Sequence, residues 1–374
     1  MAGIYIHIPF CKQACHYCNF HFSTSLQLKN DLITALLKEI EITEIFSEAG
    51  AIETLYLGGG TPSLLLLNEL EKIKEAIDRK FGTPAFKEIT LEANPDDINP
   101  ENLANWKKAG INRLSIGVQS FFDGDLEWMN RAHNARQAID CIRMAQRSGF
   151  QNLSIDLIYG TPGMSDENWA KNLETAMSLE IPHLSCYALT VEPKTALQVM
   201  IAKKKRSDID AGQQSRQFLQ MTHELQEKGY EHYEISNFAK PGWRSRHNSS
   251  YWQGQHYYGF GPSAHSYDGS SRSWNIANNA LYINSLLKGI VPAEREILSA
   301  TQMLNEYIMT SLRTMEGLDL KIVEKKFGTG MAHEIFKALG KYENGRIQRS
   351  GNNWILTEKG KLFADGIAAD LFVL

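Results

Sequence analysis

The chain has 374 residues, 43% hydrophobic and 22% charged, with a formal net charge of −4. That length suits a barrel-sized domain plus a smaller one, and the charge balance excludes a disordered chain and a basic nucleic-acid surface. No apolar run approaches the ~18 residues of a membrane span. Five cysteines, an odd number with three crowded at the start, make no disulfide framework. Their use argues for a reducing, cytoplasmic setting. Nothing precedes the first predicted strand, so no signal or transit peptide is expected.

That strand, Ile4–Ile8, runs into Pro9-Phe10-Cys11-Lys12-Gln13-Ala14-Cys15-His16-Tyr17-Cys18. The spacing is C-x3-C-x2-C, with no fourth cysteine nearby. Three thiolates can hold three irons of a [4Fe–4S] cube and leave one iron open to a small chelating ligand, whereas four-cysteine sites close every iron. Two blander readings stand beside it. The same cysteines with His7, His16 or His21 make a zinc ligand set, and a cysteine triplet can be inert core.

A helix is predicted over 26–48, its apolar residues Leu36, Leu37 and Ile40 spaced for one buried face. The second strand, Thr54–Leu57, ends in Gly58-Gly59-Gly60-Thr61-Pro62, a run that lets backbone approach a ligand closely. After a helix at 64–80, the third strand, Glu88–Glu92, ends on a carboxylate suited to an ammonium or a hydroxyl. A helix at 100–109 starts on Pro100, and the fourth strand, Arg113–Val118, leads to Gln119 and then Arg131. A guanidinium at that place suits a carboxylate. Helix 135–148 precedes the fifth strand, Leu153–Ile158, in which Asp156 interrupts an apolar run and therefore needs a partner. Helix 166–179, strand His183–Ala188, helix 212–228 and a further strand over Tyr233–Phe238 complete the pattern. Cys141 and Cys186 fall within a helix and a strand and read as core.

Repeated βα units predict an α/β domain over 1–239, a partial (β/α)6 TIM-like barrel with its chemistry at the carboxyl ends of the strands. Residues 240–296, rich in Gly, Ser, Asn, Tyr and Trp, read as an irregular connecting segment. From 297 to 374 the pattern predicts a small α+β domain, helical and winged-helix-like. Its elements are helices Thr301–Met315, Leu318–Phe327 and Met331–Leu339, a hairpin over Ile347–Leu356, and a closing helix from Glu358.

The cysteine spacing just after a first strand resembles the radical S-adenosylmethionine superfamily. The segments Tyr5-Ile6-His7-Ile8-Pro9-Phe10-Cys11, Gly58-Gly59-Gly60-Thr61-Pro62, Gly117-Val118-Gln119-Ser120 and Asp156-Leu157-Ile158-Tyr159-Gly160 resemble the oxygen-independent coproporphyrinogen III oxidase family. So does Leu356-Thr357-Glu358-Lys359-Gly360, which extends the resemblance over nearly the whole chain. It implies a radical SAM barrel with a [4Fe–4S] cluster on Cys11, Cys15 and Cys18. It also implies S-adenosylmethionine held by Gly59, Gly60, Thr61, Glu92, Gln119, Arg131 and Asp156. Tyr17 and Ile158 would flank the adenine, and Tyr5 would lie near the sulfonium.

Two departures turn the resemblance toward the HemW-type haem chaperones of that family. Phe20 stands where the oxidases carry a further cysteine, and their N-terminal extension is missing ahead of Cys11. The run Arg246-His247-Asn248-Ser249-Ser250-Tyr251-Trp252 resembles the chaperones' HNxxYW motif. It implies haem b, with His247 as iron ligand and His265 as the competing candidate. Tyr251, Trp252, Tyr257 and Tyr258 would offer flat faces, and Arg244 and Arg246 would meet the propionates. The branch implies delivery of haem to haem-dependent respiratory proteins, and leaves room for a homodimer and peripheral membrane contact. Oxidative decarboxylation of coproporphyrinogen III is the alternative, and a zinc-stapled binding protein the third reading.

Overall fold

The computed structural model describes residues 2–47, 50–343 and 345–373. Six strands lie side by side in parallel: β1 (Ala2–Ile8), β2 (Ile52–Gly59), β3 (Glu88–Ala93), β4 (Arg113–Gln119), β5 (Asn152–Tyr159) and β6 (His183–Ala188). The helices between them are α1 (Lys29–Ile42), α2 (Leu67–Phe81), α3 (Pro100–Lys108), α4 (Asp123–Met129), α5 (Ala135–Arg147) and α6 (Asp166–Ser178). Asn99 caps α3 with Pro100 just inside, and Asn134 with Gln137 forms a reciprocal box at the start of α5. α7 (Ala196–Ala202) and α8 (Ala211–Glu227) follow β6. The predicted seventh strand is a hairpin, β7 (Glu231–Glu234) and β8 (Asn237–Ala239), which runs antiparallel on β6.

The two faces of the barrel strands have opposite chemistry. Ile4, Ile6, Ile8, Leu55, Leu57, Leu91, Leu114, Ile116, Ile155, Leu157 and Leu184 point outward and pack under the helices as one continuous core. The alternate residues face the lumen: Tyr5 and His7, Thr54 and Tyr56, Glu88, Thr90 and Glu92, Arg113 and Ser115, Ser154 and Asp156, His183 and Ser185. A barrel that only needed stability would fill this space with branched apolar side chains.

Residues 240–296 depart from the expected irregular connection. They form α9 (Arg246–Trp252), β9 (His256–Phe260), β10 (His265–Tyr267), β11 (Ser271–Asn275), α10 (Asn279–Leu287) and β12 (Ala293–Ile297). β9 pairs in parallel with β1, and β10 to β12 extend the sheet antiparallel, giving the order β12-β11-β10-β9-β1-β2-β3-β4-β5-β6-β8-β7. Tyr258, Phe260, Tyr282, Ile283 and Leu286 belong to the barrel's core. Short strands rich in Tyr, Ser and Gly carry little hydrophobic period, which is why the pattern looked structureless. The buried Glu39 carboxylate of α1 ties this arm down. It accepts from the Gly261 N–H (2.8 Å), the Asn275 amide (2.5 Å) and the Tyr282 hydroxyl.

The C-terminal unit follows the order α11 (Ala300–Leu312), β13 (Leu318–Asp319), α12 (Leu320–Phe327), α13 (Thr329–Leu339), β14 (Ile347–Ser350), β15 (Asn353–Leu356), α14 (Glu358–Lys361) and α15 (Ala364–Asp370). Helices α11, α12, α13 and α15 and a three-stranded sheet, β13-β15-β14, enclose a second core around Ile308, Leu312, Val323, Ile335, Trp354 and Ile367. That is the winged-helix-like arrangement the pattern predicted. Arg313 pairs with the buried Glu234 at 3.1 Å, joining this unit to the barrel.

Candidate cofactor site at the barrel mouth

The cysteine loop leaves β1 at the carboxyl end of the barrel. Its base is closed by the Cys11 N–H to Ser23 (3.0 Å) and the Ser23 N–H to Pro9 (2.8 Å). Its far side is stitched to the end of α4. The His16 N–H donates to the Met129 carbonyl (3.1 Å), the Gln13 amide to Asn130, and the Asn130 amide to the Ala14 carbonyl (2.7 Å). Cys11, Cys15 and Cys18 are each half-buried, unpaired thiols in this one loop. Burial raises the Cys11 and Cys18 thiols, Cys18 to about 11, and the neighbouring cysteines add to both. Two thiols held from ionising, beside a third in the same loop, suit a strong metal acceptor that takes the charge. Among the described residues, no group of His, Cys, Asp or Glu converges to hold a single metal ion, as a zinc staple requires.

The glycine run lies directly beneath this loop. The Gly60 N–H donates to the Ile8 carbonyl at 2.9 Å, and a Cβ on Gly60 would stand 2.7 Å from the Phe10 oxygen. Gly59 has φ +110, and a Cβ there would strike the His7 ring at 2.6 Å. The backbone of β2 thus reaches the lumen with no side chain in the way. Thr61 is buried and takes a hydrogen bond from the Asn94 amide (3.2 Å).

Glu92, Asp156, Tyr5 and Arg131 line the open part of the lumen, each partly accessible. Glu92 accepts from the Tyr56 hydroxyl (2.8 Å) and the Gly59 N–H (3.1 Å). Desolvation pushes its carboxyl up to about 7 against those hydrogen bonds, and Asp156 adds to the rise. Asp156 is pushed up to about 6, again mainly by desolvation, and Ser185 and Ser115 oppose the shift. Arg131 donates to the Asn94 side-chain amide oxygen (2.8 Å), the Gly117 backbone carbonyl (2.8 Å) and the Cys15 sulfur (3.2 Å). Its buried Nε has no partner among the described residues. Gln119 ends β4 at φ +69, a left-handed conformation that costs a residue with a side chain ~1 kcal/mol or more.

Tyr17 and Ile158 come together in a small apolar cluster with Met129, Leu189 and Leu197. Those last three were missed by sequence reasoning. Met129 carried a signal, since it directly precedes Asn130-Arg131, but Leu189 and Leu197 lie beyond β6 with nothing local to mark them.

The floor of the barrel is sealed. α9 enters it with its first N–H groups on the Glu88 carboxylate: Arg246 and His247 both donate at 3.0 Å. His247 is 0% exposed. Its Nδ1 meets the Thr54 hydroxyl (2.8 Å), its Nε2 the Tyr251 hydroxyl (2.7 Å), and its ring stacks on Tyr56. Burial and then Arg113 lower its basicity to about 3, so the ring is neutral. His265, by contrast, is exposed on β10. Among the other residues of that constellation, Tyr258 is core, stacked on Phe46, and Arg244 is paired with Glu231 and Glu316. Tyr257 lies against Tyr251, Trp252 lies under Arg313, and Arg246 is exposed.

Residues 5–176 match the Radical SAM superfamily, and residues 298–363 match the HemN C-terminal domain. The chain is 34% identical to "Heme chaperone HemW" of Bacillus subtilis, with 98% of each chain covered. The chain belongs to the HemW-type radical SAM family. Its identity to the heme chaperone HemW of Mycobacterium tuberculosis is 33%, covering 99% of this chain and 94% of that one. For the protein of that name in Escherichia coli it is 30%, covering 98% and 96%. In three dimensions the chain is similar to the E. coli coproporphyrinogen III oxidase HemN, a radical SAM enzyme. The TM-score is 0.82 at 24% identity, over 100% of this chain and 90% of that one, which establishes the shared fold. With the radical SAM fold come its cofactors, a [4Fe–4S] cluster and S-adenosylmethionine. The donor set at the mouth fits them: three loop thiols, bare glycine backbone, an apolar slot, and two partly accessible carboxyls. Among the described residues no helix is long and apolar enough to cross a membrane.

Proposed function

We propose that this protein binds haem b and delivers it to haem-dependent respiratory proteins in the cytoplasm. It would do so while carrying a [4Fe–4S] cluster on Cys11, Cys15 and Cys18 and S-adenosylmethionine at the barrel mouth. The observation that carries the reading is the convergence of cysteine loop, glycine ledge and polar rim in a chain at least 30% identical, over nearly its full length, to proteins named heme chaperone HemW.

When bound, the cluster supplies one-electron reducing power beside the sulfonium. The chain's own residues do the holding. The Gly59 and Gly60 backbone and Thr61 meet the methionine amino end, and Arg131 its carboxylate. Glu92 and Asp156 accept from the ammonium and the ribose hydroxyls. Gln119 adds an amide at the rim, Tyr17 and Ile158 enclose the adenine, and Tyr5 flanks the sulfonium. Phe20, 68% exposed on the cysteine loop, supports carriage over decarboxylation, because the oxidases have a thiol there.

For the haem iron, His247 is a neutral imidazole, the form that ligates. To reach iron it must exchange Tyr251 for the metal, so α9 must leave the barrel floor. His265 needs no such opening. Anaerobic reconstitution followed by haem titration tests the reading. A 1:1 Soret band is expected in the wild type, and its loss in His247→Ala or in His265→Ala names the ligand. Wild-type protein with intact cluster and no Soret band, or one that converts coproporphyrinogen III to protoporphyrinogen IX, sinks the chaperone reading.

A further inference from the structure

We propose that Arg113 is a positioning residue for the lumen carboxylates. Its guanidinium, sealed beneath Glu92 and Asp156, biases both toward the acceptor-only anions that S-adenosylmethionine needs. The inference rests on the cofactor reading above.

Arg113 opens β4 and is 1% exposed. It stands in register with Thr90 of β3 and Asn152 of β5, on the face it shares with Ser115 and Gly117. Ser115 pairs with Glu92, and Ser154, the partner of Ser115 on β5, is two residues below Asp156. Arg113 therefore enters the lumen one layer under Glu92 and two layers under Asp156. Among the described residues its buried Nε and Nη1 have no hydrogen-bond partner. Burying an arginine this way costs several kcal/mol unless a field of opposite sign offsets it. The field comes from above. Glu92 and Asp156 each raise the other's proton affinity, and Arg113 lowers both.

The other groups facing the pair do not replace it. Tyr5, Tyr56, Tyr187 and Tyr251 face Glu92 as neutral phenols, and the Cys11 sulfur lies near it and brings no positive charge. Cys186, Tyr17 and Tyr187 lie near Asp156. The second cation, Arg131, acts on Asp156 but is committed to Asn94, Gly117 and Cys15. His183 and His247 on the floor are neutral, pushed down by burial and by Arg113 itself. A bound ammonium or hydroxyl donates best to a carboxylate that has already shed its proton. Arg113 moves both carboxyls in that direction before ligand arrives, against the desolvation that raises them.

The test is equilibrium binding of S-adenosylmethionine to anaerobically reconstituted wild type, Arg113→Gln and Arg113→Lys, from about pH 6 to about pH 9. Arg113→Gln is expected to bind ~10-fold more weakly at neutral pH and to recover at the alkaline end, a midpoint shift of about one unit upward. Arg113→Lys, which keeps the charge and loses the fork, is expected to track the wild type. Equal affinity for Arg113→Gln and wild type at all pH values overturns the proposal. A uniform weakening with no pH shift also overturns it, since that is a packing effect. If Arg113→Gln fails to fold, a displaced midpoint in Arg113→Lys overturns it instead. Wild-type protein with a full cluster and no S-adenosylmethionine binding refutes the cofactor reading itself.

Discussion

Gly60→Ala tests whether the glycine ledge sets the height of the cysteine loop. A Cβ at Gly60 would stand 2.7 Å from the Phe10 oxygen, 2.8 Å from the Phe10 nitrogen and 2.9 Å from the Ile8 oxygen. All three are backbone atoms, so no side chain can swing away. Reaching ordinary contact needs a retreat of about 0.7 Å. Retreat by the loop stretches the 2.9 Å bond from Gly60 to Ile8 and the 3.0 Å bond from Cys11 to Ser23. Overpacking of this kind costs ~1–3 kcal/mol. A shift of that size also exceeds the ~0.5 Å within which a ligand constellation stays productive. The expected result is protein that folds with a lowered melting temperature and retains well under half of the wild-type iron and labile sulfide after anaerobic reconstitution. Gly124→Ala in α4 is the control. Nothing lies within 4 Å of its Cβ, and iron content should match wild type. Wild-type iron and an unchanged melt in Gly60→Ala would refute the reasoning.

Gln119→Gly should raise the melting temperature, by relief of ~1 kcal/mol of left-handed strain, while equilibrium dialysis shows weaker S-adenosylmethionine binding. Arg131→Lys cannot reach Asn94, Gly117 and Cys15 at once, so ~1–3 kcal/mol of stability and faster iron loss under a chelator are expected. Glu39→Gln keeps the shape of a carboxyl that faces three donors and removes its titration. Burial raises the Glu39 carboxyl from 4.5 to about 7, so its protonated form is favoured in the fold. Its stabilising contribution is full below the unfolded value and fades as pH rises through about 7, by about 3 kcal/mol in all. The gap between wild type and Glu39→Gln should therefore narrow from pH 5 to about pH 8 in thermal melts, and a widening gap would show the carboxylate buried as a stabilising anion.

The six parallel strands were legible because their outer faces alternate strictly, as in Ile4, Ile6 and Ile8 or Leu153, Ile155 and Leu157. The same alternation exposed the site, since Glu92 and Asp156 occupy positions where an ordinary barrel places branched apolar residues. What stayed hidden were contacts made across distance. β9 joins β1 from far along the chain, and its Tyr-Gly-rich sequence carries no strand period. Arg113 read as the start of a strand, because a charged residue at a strand end is usually solvated. His247 read as a loop residue in a polar, irregular segment. Only Glu88 at the start of α9 draws it into the barrel, and nothing near Glu88 in sequence announces that role.

The position of His247 makes two ligands interdependent. Its ring stacks on Tyr56, with centroids 5.1 Å apart, and the Tyr56 hydroxyl donates to Glu92 at 2.8 Å. If His247 turns out to take the iron, α9 must withdraw and Tyr56 loses the ring that fixes it. The hydrogen bond to Glu92 then loosens, and Glu92 is the carboxylate assigned to S-adenosylmethionine. Thermodynamic linkage makes the effect reciprocal: bound S-adenosylmethionine, by favouring an ordered Glu92–Tyr56 pair, would resist haem capture by the same factor. Couplings of this kind are commonly ~5–150-fold. Haem titrations with and without saturating S-adenosylmethionine measure the factor directly. His247→Ala should abolish it, whereas coupling that survives in His247→Ala would move the iron ligand away from the barrel floor, to the exposed His265.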